Sequence, residues 1–318
     1  MAYGMKGHLG ICFQQSFGTA YISSFFYVPL ISESVVESIP PIVSEGMRGR
    51  FEEGDSYEGA HEVAGDVVIP AHPVLLGVLL KAWCGQSSGS LATSVYTHTF
   101  QPKTSDFGTM AAVPPMTIEV YRDSGSAHQY HDCLCNGLSI EIAYGAIIKA
   151  TMSIMGASFA KVAKTGPTYI AGSEFVWNQS SISFGGAVDE VSQITLNMAN
   201  NLEGRGTLDG TKKFNRIKRA GFRTIDVSGT ILFVDDAEFD KWHGQTTQKT
   251  VITVTGQAIT SGYNGTFEAD IPTMRYSEFP VNIGGPGMIE VGFAASAKYN
   301  TGSATMAKFT LVNTQSVY

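Results

Sequence analysis

The sequence predicts a mainly β fold of two tandem sandwich domains, each with one short flanking helix. Three observations predict it. The first is an internal repeat. Gly65-Asp66-Val67-Val68-Ile69 leads into a short apolar helix candidate that closes on Trp83-Cys84-Gly85. Gly229-Thr230-Ile231-Leu232-Phe233 leads into one that closes on Trp242-His243-Gly244. The glycines lie 164 residues apart and the tryptophans 159; self-similarity of this kind sets the unit that folds and is read before anything else. The second is the 35 glycines, many beside alternating Val/Ile/Thr/Ser runs, which mark turns between strands. The third is that 15% of residues are charged, against roughly 25% in an average soluble domain. A surface so poor in charge expects neighbours. At 318 residues the chain suits two domains with a core each, residues 1–165 and 166–318.

In chain order, Tyr21 to Ile31 is β-branched and aromatic and reads as an early strand. Residues 45–66 are glycine-punctuated and charged, a long loop or flared hairpin, and Val67 to Ile69 is a strand. Pro73 to Lys81 reads as a short buried helix, with Pro73 near its first position and Gly85 past its end. Residues 86–115, rich in Ser, Thr, Gly and Pro, read as an irregular connection. Met116 to Tyr121 and the region around Cys133-Leu134-Cys135 are strands. Period two is clearest over 138–155: Ile140, Ile142 and Tyr144 share a face, and after a turn at Gly145 so do Ile148, Ala150, Met152 and Ile154. Residues 161–174 carry Gly, Pro and Lys and suit an inter-domain linker.

The order then recurs. Strands are expected at Ile194–Asn197, Thr230–Val234, Val251–Thr255, Gly265–Ala269 and Met288–Ala295, with a charged loop at 203–223. A helix is expected at Asp235–Trp242. Asp235 or Asp236 caps it, and Glu238 and Asp240 stand in the first turn, where the helix dipole favours anions.

The net charge of −7 belongs to the first half, where residues 1–160 hold 7 Lys and Arg against 14 Asp and Glu; the remainder holds 14 of each. A conventional nucleic-acid binder would be basic overall. Cys12, Cys84, Cys133 and Cys135 lack the spacing of a disulfide framework, which suits a reducing compartment. Met1 to Gly18 lacks the basic start and apolar core of a signal peptide. The longest apolar run, Val74 to Leu80, is far short of the roughly 20 residues that span a bilayer.

With strands, loop, helix and strands laid out twice, the chain resembles the tail tube (major tail) proteins of long-tailed bacteriophages. The opening Gln14-Gln15-Ser16-Phe17-Gly18-Thr19-Ala20 resembles that of a two-domain subgroup. The Gly-to-Trp block followed by the strand pair Asn136 to Ile154 is similar too, and the likeness covers essentially the whole chain. It implies β-sandwiches with flanking helices whose sheets join those of neighbours into a closed β-barrel ring. Rings stack into a hollow tube that carries genome DNA into the host. Six tube domains per ring would come from three copies of a two-domain chain, a trimer with pseudo-sixfold symmetry. Closing the barrel also removes sheet edges that invite uncontrolled pairing.

The implied partners are further copies of the chain and other tail proteins: tape measure, tail terminator, and baseplate or tip. DNA would pass through the lumen without specific binding, no membrane is involved, and assembly would take place in the host cytoplasm. The lumen is expected to be acidic or neutral, so that like charge keeps DNA mobile. The inner tube of a contractile injection device fits the same subunit. A β-sandwich tail component that binds a receptor or glycan is the reading from another class. No extra Ig-like domain is expected after the second copy, since Tyr318 follows the last strand at once.

The two long loops are equivalent in position and opposite in charge. Residues 45–66 hold seven acids (Glu45, Glu52, Glu53, Asp55, Glu58, Glu62, Asp66) against Arg48 and Arg50, net −5. Residues 203–223 hold seven bases (Arg205, Lys212, Lys213, Arg216, Lys218, Arg219, Arg223) against Glu203 and Asp209, net +5. The expectation is that each meets an opposite charge on a neighbouring ring or subunit, or that they meet each other, fixing the rotational register of stacking. Complementary charge serves register and encounter more than affinity. Two other readings stand beside it. Both loops are solvated surface, or the six bases within 212–223 contact phosphate; a conduit that gripped DNA would obstruct its passage.

No enzyme is expected and no cofactor. His128-x-x-His131-x-Cys133-x-Cys135 is the one run with metal-ligand character. Cys-x-Cys on a strand lacks the turn that wraps a metal, and buried strand cysteines are ordinary small hydrophobes, so no metal is assigned. Asp235-Asp236-x-Glu238-x-Asp240 is better explained as a helix start than as paired carboxylates. No Gly-x-Ser-x-Gly elbow, HExxH or phosphate-binding glycine loop occurs, and Gly284-Gly285-Pro286-Gly287 reads as a turn. His61, His72 and His98 stand alone and read as structural. Trp83 and Trp242 recur at matching places and read as core in each domain.

Overall fold

Strands dominate the computed structural model, which describes residues 2–19, 24–49, 51–85, 87–92, 94–103, 113–188 and 190–318. The first half contains β1 (His8–Phe13), β2 (Phe26–Val28), β3 (Ser32–Glu33), β4 (Val36–Ser38), β5 (Ile42–Val43), β6 (Ser56–Tyr57) and β7 (Glu62–Pro70). Helix α1 (Pro73–Cys84) follows, then β8 (Ser87–Ala92), β9 (Val95–Phe100), β10 (Met116–Tyr121), β11 (Ala127–Ala143), β12 (Lys149–Gly156) and β13 (Ser158–Val162). The second half contains β14 (Ser180–Phe184), β15 (Ala187–Val188), β16 (Val191–Ala199), β17 (Leu202–Arg205), β18 (Arg216–Arg219) and β19 (Thr224–Leu232). Helix α2 (Ala237–His243) precedes β20 (Gln248–Thr260), β21 (Tyr263–Glu278), β22 (Glu290–Ala297) and β23 (Lys308–Asn313).

One sheet runs through both halves, in the order β3 and β4, then β7, β12, β11, β16, β19, β22 and β21, all antiparallel. It passes from the first half to the second where Gly137–Ala143 of β11 pairs with Gln193–Ala199 of β16. Strands β11 and β21 are long enough to serve two sheets. The first part of β11 lies in a flanking sheet ordered β2, β1, β10, β11, β13. The first part of β21 lies in another, ordered β15, β14, β20, β21, β23, β9, β8. One hydrophobic cluster takes in side chains of all three sheets and of α1.

Local chemistry explains the elements the sequence announced. Helix α1 is apolar on every face, as a helix buried all round must be, and ten of its residues are buried. His72 caps its start by accepting from the Val74 N–H at 3.1 Å. Gly85 ends it in the left-handed region, φ 81°, with its N–H on the Lys81 carbonyl, the conformation that favours glycine. Ile148, Ala150, Met152 and Ile154 are all buried, as their alternation requires. Helix α2 starts at Ala237, whose N–H is capped by the Asp235 carboxylate at 2.8 Å, while the side chain of Asp236 makes no cap bond.

Several expectations need correction. Ser87–Ala92 and Val95–Phe100 pair as a β8–β9 hairpin rather than an irregular connection, held from outside by β23; residues 86, 93 and 104–112 lie outside the described residues. Tyr144 is not on the face of Ile140 and Ile142 but in the turn beyond β11, 76% exposed. The charged segment 203–223 contains a hairpin, β17–β18. The stretch 161–174 begins inside β13, and the chain then runs to Phe175, which is buried and bonds Ala71 and Ile148 of the first half. Trp83 is fully buried, whereas Trp242 is only half-buried. The early strand read over 21–31 is seen as β2; residues 20–23 lie outside the described residues.

Candidate assembly surface

Two hairpins carry the opposed charges. In the acidic one, β5 and β6 pair through Ile42–Tyr57 and Val43–Ser56, and residues 44–55 form an arc closed by the Ser44 N–H on the Asp55 carbonyl at 3.0 Å. Gly59 closes its base, because a Cβ there would stand 1.9 Å from the Pro40 carbonyl oxygen. Glu52, Glu53, Asp55, Glu58 and Glu62 are all exposed. Arg48 reaches Asp55 at 3.8 Å, and Arg50 lies outside the described residues. Met47 and Phe51 are fully exposed beside these acids.

The basic hairpin is anchored. Ile217 is buried, and Phe214 packs so closely on Gly204 that a Cβ there would meet its ring at 2.4 Å. At the hairpin's base Asn200 is fully buried and donates to the carbonyls of Trp83 and Cys135 at 3.1 and 2.9 Å. Arg219 donates to the Asn200 carbonyl at 2.9 Å. Arg223 donates to the Asn200 side chain at 3.0 Å and to the Lys103 carbonyl at 2.9 Å, with its guanidinium 5.2 Å from the Trp83 ring. Arg219 and Arg223 thus turn inward and hold the hairpin to the first half. Lys212, Lys213, Arg216 and Lys218 are exposed. Asp209 organises the tip by accepting from Thr211 and Asn215, and those bonds hold its carboxyl down at about 2.

The two hairpins touch within one chain. The Lys212 ammonium bonds the Glu58 carboxylate, the His61 N–H donates to the Lys212 carbonyl at 2.7 Å, and His61 bridges to Lys213. His61 does not stand alone: its ring nitrogens lie 2.9 Å from Glu37 and 2.7 Å from Glu58. The bonds to Glu37 and Glu58 raise its pKa above the ordinary value. Those from Lys212 and His61 hold the Glu58 carboxyl low. Sequence reading missed Glu37, which no local pattern connects to residue 61.

Other sequence candidates are dispersed. His128 contacts Arg122 at 2.9 Å and His131 contacts Thr117 at 3.3 Å, both from β11. Burial pushes the Cys133 and Cys135 thiols far up, and no metal-ligating cluster occurs among the described residues. His72 is the α1 cap, and His98 contacts the Gln315 carbonyl at 2.7 Å. Glu238, expected only as a first-turn acid, accepts from Tyr276 at 2.6 Å and from Lys241. Among the described residues no helix is long and apolar enough to cross a membrane.

The profile of a family described as phage tail tube protein matches residues 4–299. No curated protein matches the chain in sequence.

Proposed function

The chain belongs to the phage tail tube protein family, and we propose that it closes into rings that stack as a hollow tube, a conduit for genome DNA. As a member of that family it is a structural component of the phage tail. The observation that carries the finer reading is the pairing of β11 with β16. A sheet that passes from one half to the next by edge pairing can pass to another copy in the same way, and a heterologous contact of this kind makes a ring where the rotation closes. Residues 1–165 and 166–318 then act as two tube domains, and three copies supply six. Tape measure, terminator and baseplate or tip proteins meet the tube at its inside and ends. The low charge of the chain and its apolar exposed residues, Met47, Phe51, Phe222 and Ile283 among them, support a surface meant for covering.

The opposed hairpins serve rotational register. The Lys212–Glu58 contact supports this, since it is a basic tip seated on the base of the acidic hairpin. At cytoplasmic salt such attraction acts over roughly 8 Å, so it selects among placements already close.

Electron microscopy of the purified protein at rising concentration tests the reading. Hollow rings or tubes with three chains per ring are the expected result. Solid particles of fixed size at every concentration, with an assembly initiator supplied, would favour the receptor- or glycan-binding component. Rings of six chains would keep the tube and remove the pseudo-sixfold account.

A further inference from the structure

The junction between the two halves is a template for the junction between two copies. The template holds because both halves are built on one frame. Gly65 on β7 lies so close to residues 34 and 35 that a Cβ would stand 2.5 Å from the Ser34 carbonyl oxygen and 2.6 Å from the Val35 Cα. Gly229 on β19 lies in the same way against residues 193 and 194, 2.3 Å from the Gln193 carbonyl oxygen and 3.2 Å from the Ile194 Cα. The β3–β4 segment therefore corresponds to β16, with Ser38 in the place of Asn197 and Ile39 in that of Met198. Gly65 pairs with Ile154 of β12, and Gly229 pairs with Phe293 of β22. Continuing the β21–β22 register beyond Glu278–Ala294 sets Pro280 opposite Gly292, as Gly137 is set opposite Ser153. Residues 280–286 correspond to 137–143.

In the first half that frame is full, and in the second it is not. Residues 137–143 are a strand held between β12 and β16, with Leu138 and Ile140 only 1% and 2% exposed. Strand β21 ends at Glu278; beyond it Phe279 is buried and Val281 half-buried against the core, and the coil from residue 282 to 288 is exposed. There Val281 stands for Leu138 and Ile283 for Ile140, yet Ile283 is 83% exposed. At the opposite end of the spanning sheet, β4 pairs with β7 alone among the described residues. Ile39 is 41% exposed where its counterpart Met198 is 2% exposed, and Val36 is uncovered too. The Val35 carbonyl already accepts from Arg122 and Tyr130, so the free edge begins at Val36.

We propose that residues 280–284 of one copy become a strand on assembly and pair antiparallel with residues 36–40 of the next, with Asn282 opposite Ser38. The contact repeats the pairing of Ser139 with Asn197 inside the chain. Each edge is the occupant of the other, and the inference rests on the ring reading given above. Pairing satisfies the backbone groups of two open edges and covers Ile283 and Ile39. Pro280 sits at the end of the segment, so its missing N–H does not interrupt the ladder. The same operation brings the acidic arc 44–55 of the second copy toward the basic hairpin of the first, whose Arg216 and Lys218 are exposed.

Engineered cysteines test the register. Directly opposed residues of an antiparallel pair have Cα atoms about 4.5–5.5 Å apart, within the span of about 4.4–6.8 Å that a disulfide bridges. The four native cysteines are buried and leave a low background. In the full-length chain, Ser38→Cys with Asn282→Cys, oxidised after assembly, should give covalent multimers on a non-reducing gel. Ser139→Cys with Asn197→Cys should close within single chains as the geometric control. If rings or tubes form and the control closes while Ser38/Asn282 gives no multimers, the paired edges are wrong and the tube reading stands. If the unsubstituted protein forms neither rings nor tubes, the ring reading fails and takes the inference with it. Ile283→Asp gives an independent check. It should leave the melting temperature of the free subunit unchanged and abolish assembly; assembly at the unsubstituted level would overturn the proposal.

Discussion

Helices α1 and α2 stand at the same place in the repeated layout and share almost nothing else. The first has ten buried residues, the second none. Helix α1 is roofed by elements far along the chain. Trp83 meets Phe309 of β23 edge-on at 6.3 Å. Tyr318 donates to the Val74 carbonyl at 2.7 Å, Asn313 donates to the Pro73 carbonyl at 2.9 Å, and Tyr318 packs onto Gly77 so tightly that a Cβ would meet its ring at 2.2 Å. Helix α2 rests on β21, with Trp242 donating to the Ser277 carbonyl at 3.3 Å. The hairpins repeat the contrast, for the basic one is anchored to the first half, whereas among the described residues of the acidic arc 44–55 no hydrogen bond or ion pair reaches the second. Where the second half covers the first, a site is buried; where only a further copy could supply the cover, the equivalent site is open.

The largest expected effect breaks or keeps that contrast directly. Trp83→Ala removes a fully buried side chain and should destabilise the subunit by about 3–5 kcal/mol. Trp242→Ala at the half-buried equivalent should cost no more than about 1 kcal/mol, as substitutions outside a core do. Urea unfolding of the unassembled subunit measures both. Equal losses would mean that α2 is a core element and that the two halves do not differ in cover.

How much of this was legible follows the range over which each cause acts. Pro73 and Gly85 mark the ends of α1 because capping is local, and the Ile148–Ile154 alternation is local too. The glycine anchors of the repeat were visible, although the reason for them, the close approach of residues 34–35 and 193–194, was not. Strand β8 reads Ser-Ser-Gly-Ser-Leu-Ala and is mostly exposed; what makes it a strand is pairing with β9, itself held by β23 some two hundred residues on. The opposed charge of the two loops was plain. That Glu58 meets Lys212, and that Arg219 and Arg223 turn to Asn200, depends on contacts that composition does not encode.

A smaller effect sharpens the contrast between the hairpins. Reversing Lys212, Lys213, Arg216 and Lys218 to Glu inverts the exposed face of the basic hairpin while leaving the Arg219 and Arg223 anchors in place. Exposed charges contribute little to folding, so the subunit should melt within a few degrees of the unsubstituted protein. Tube growth should nevertheless stop, because every placement now sets like charge against the acidic arc. Tubes of normal length from this variant would leave the hairpins as solvated surface.

The smallest effect concerns His61 and depends on pH. Its pKa is raised by the Glu37 and Glu58 carboxylates, so the protonated ring favours the folded arrangement. For a group raised on folding, the contribution is fully present below the unfolded value, about 6.5, and is lost as pH rises through the folded value. The contact between the hairpins should therefore loosen above about pH 6.5, while the Glu58 carboxyl, held low, stays ionised. Hydrogen exchange at the His61 amide, which donates to the Lys212 carbonyl, should accelerate over that window by more than the intrinsic base-catalysed increase. His61→Gln should remove the excess and leave the intrinsic slope. An unchanged excess in that variant would place the pH dependence elsewhere in the hairpin pair and leave Glu37 without a part in holding the two together.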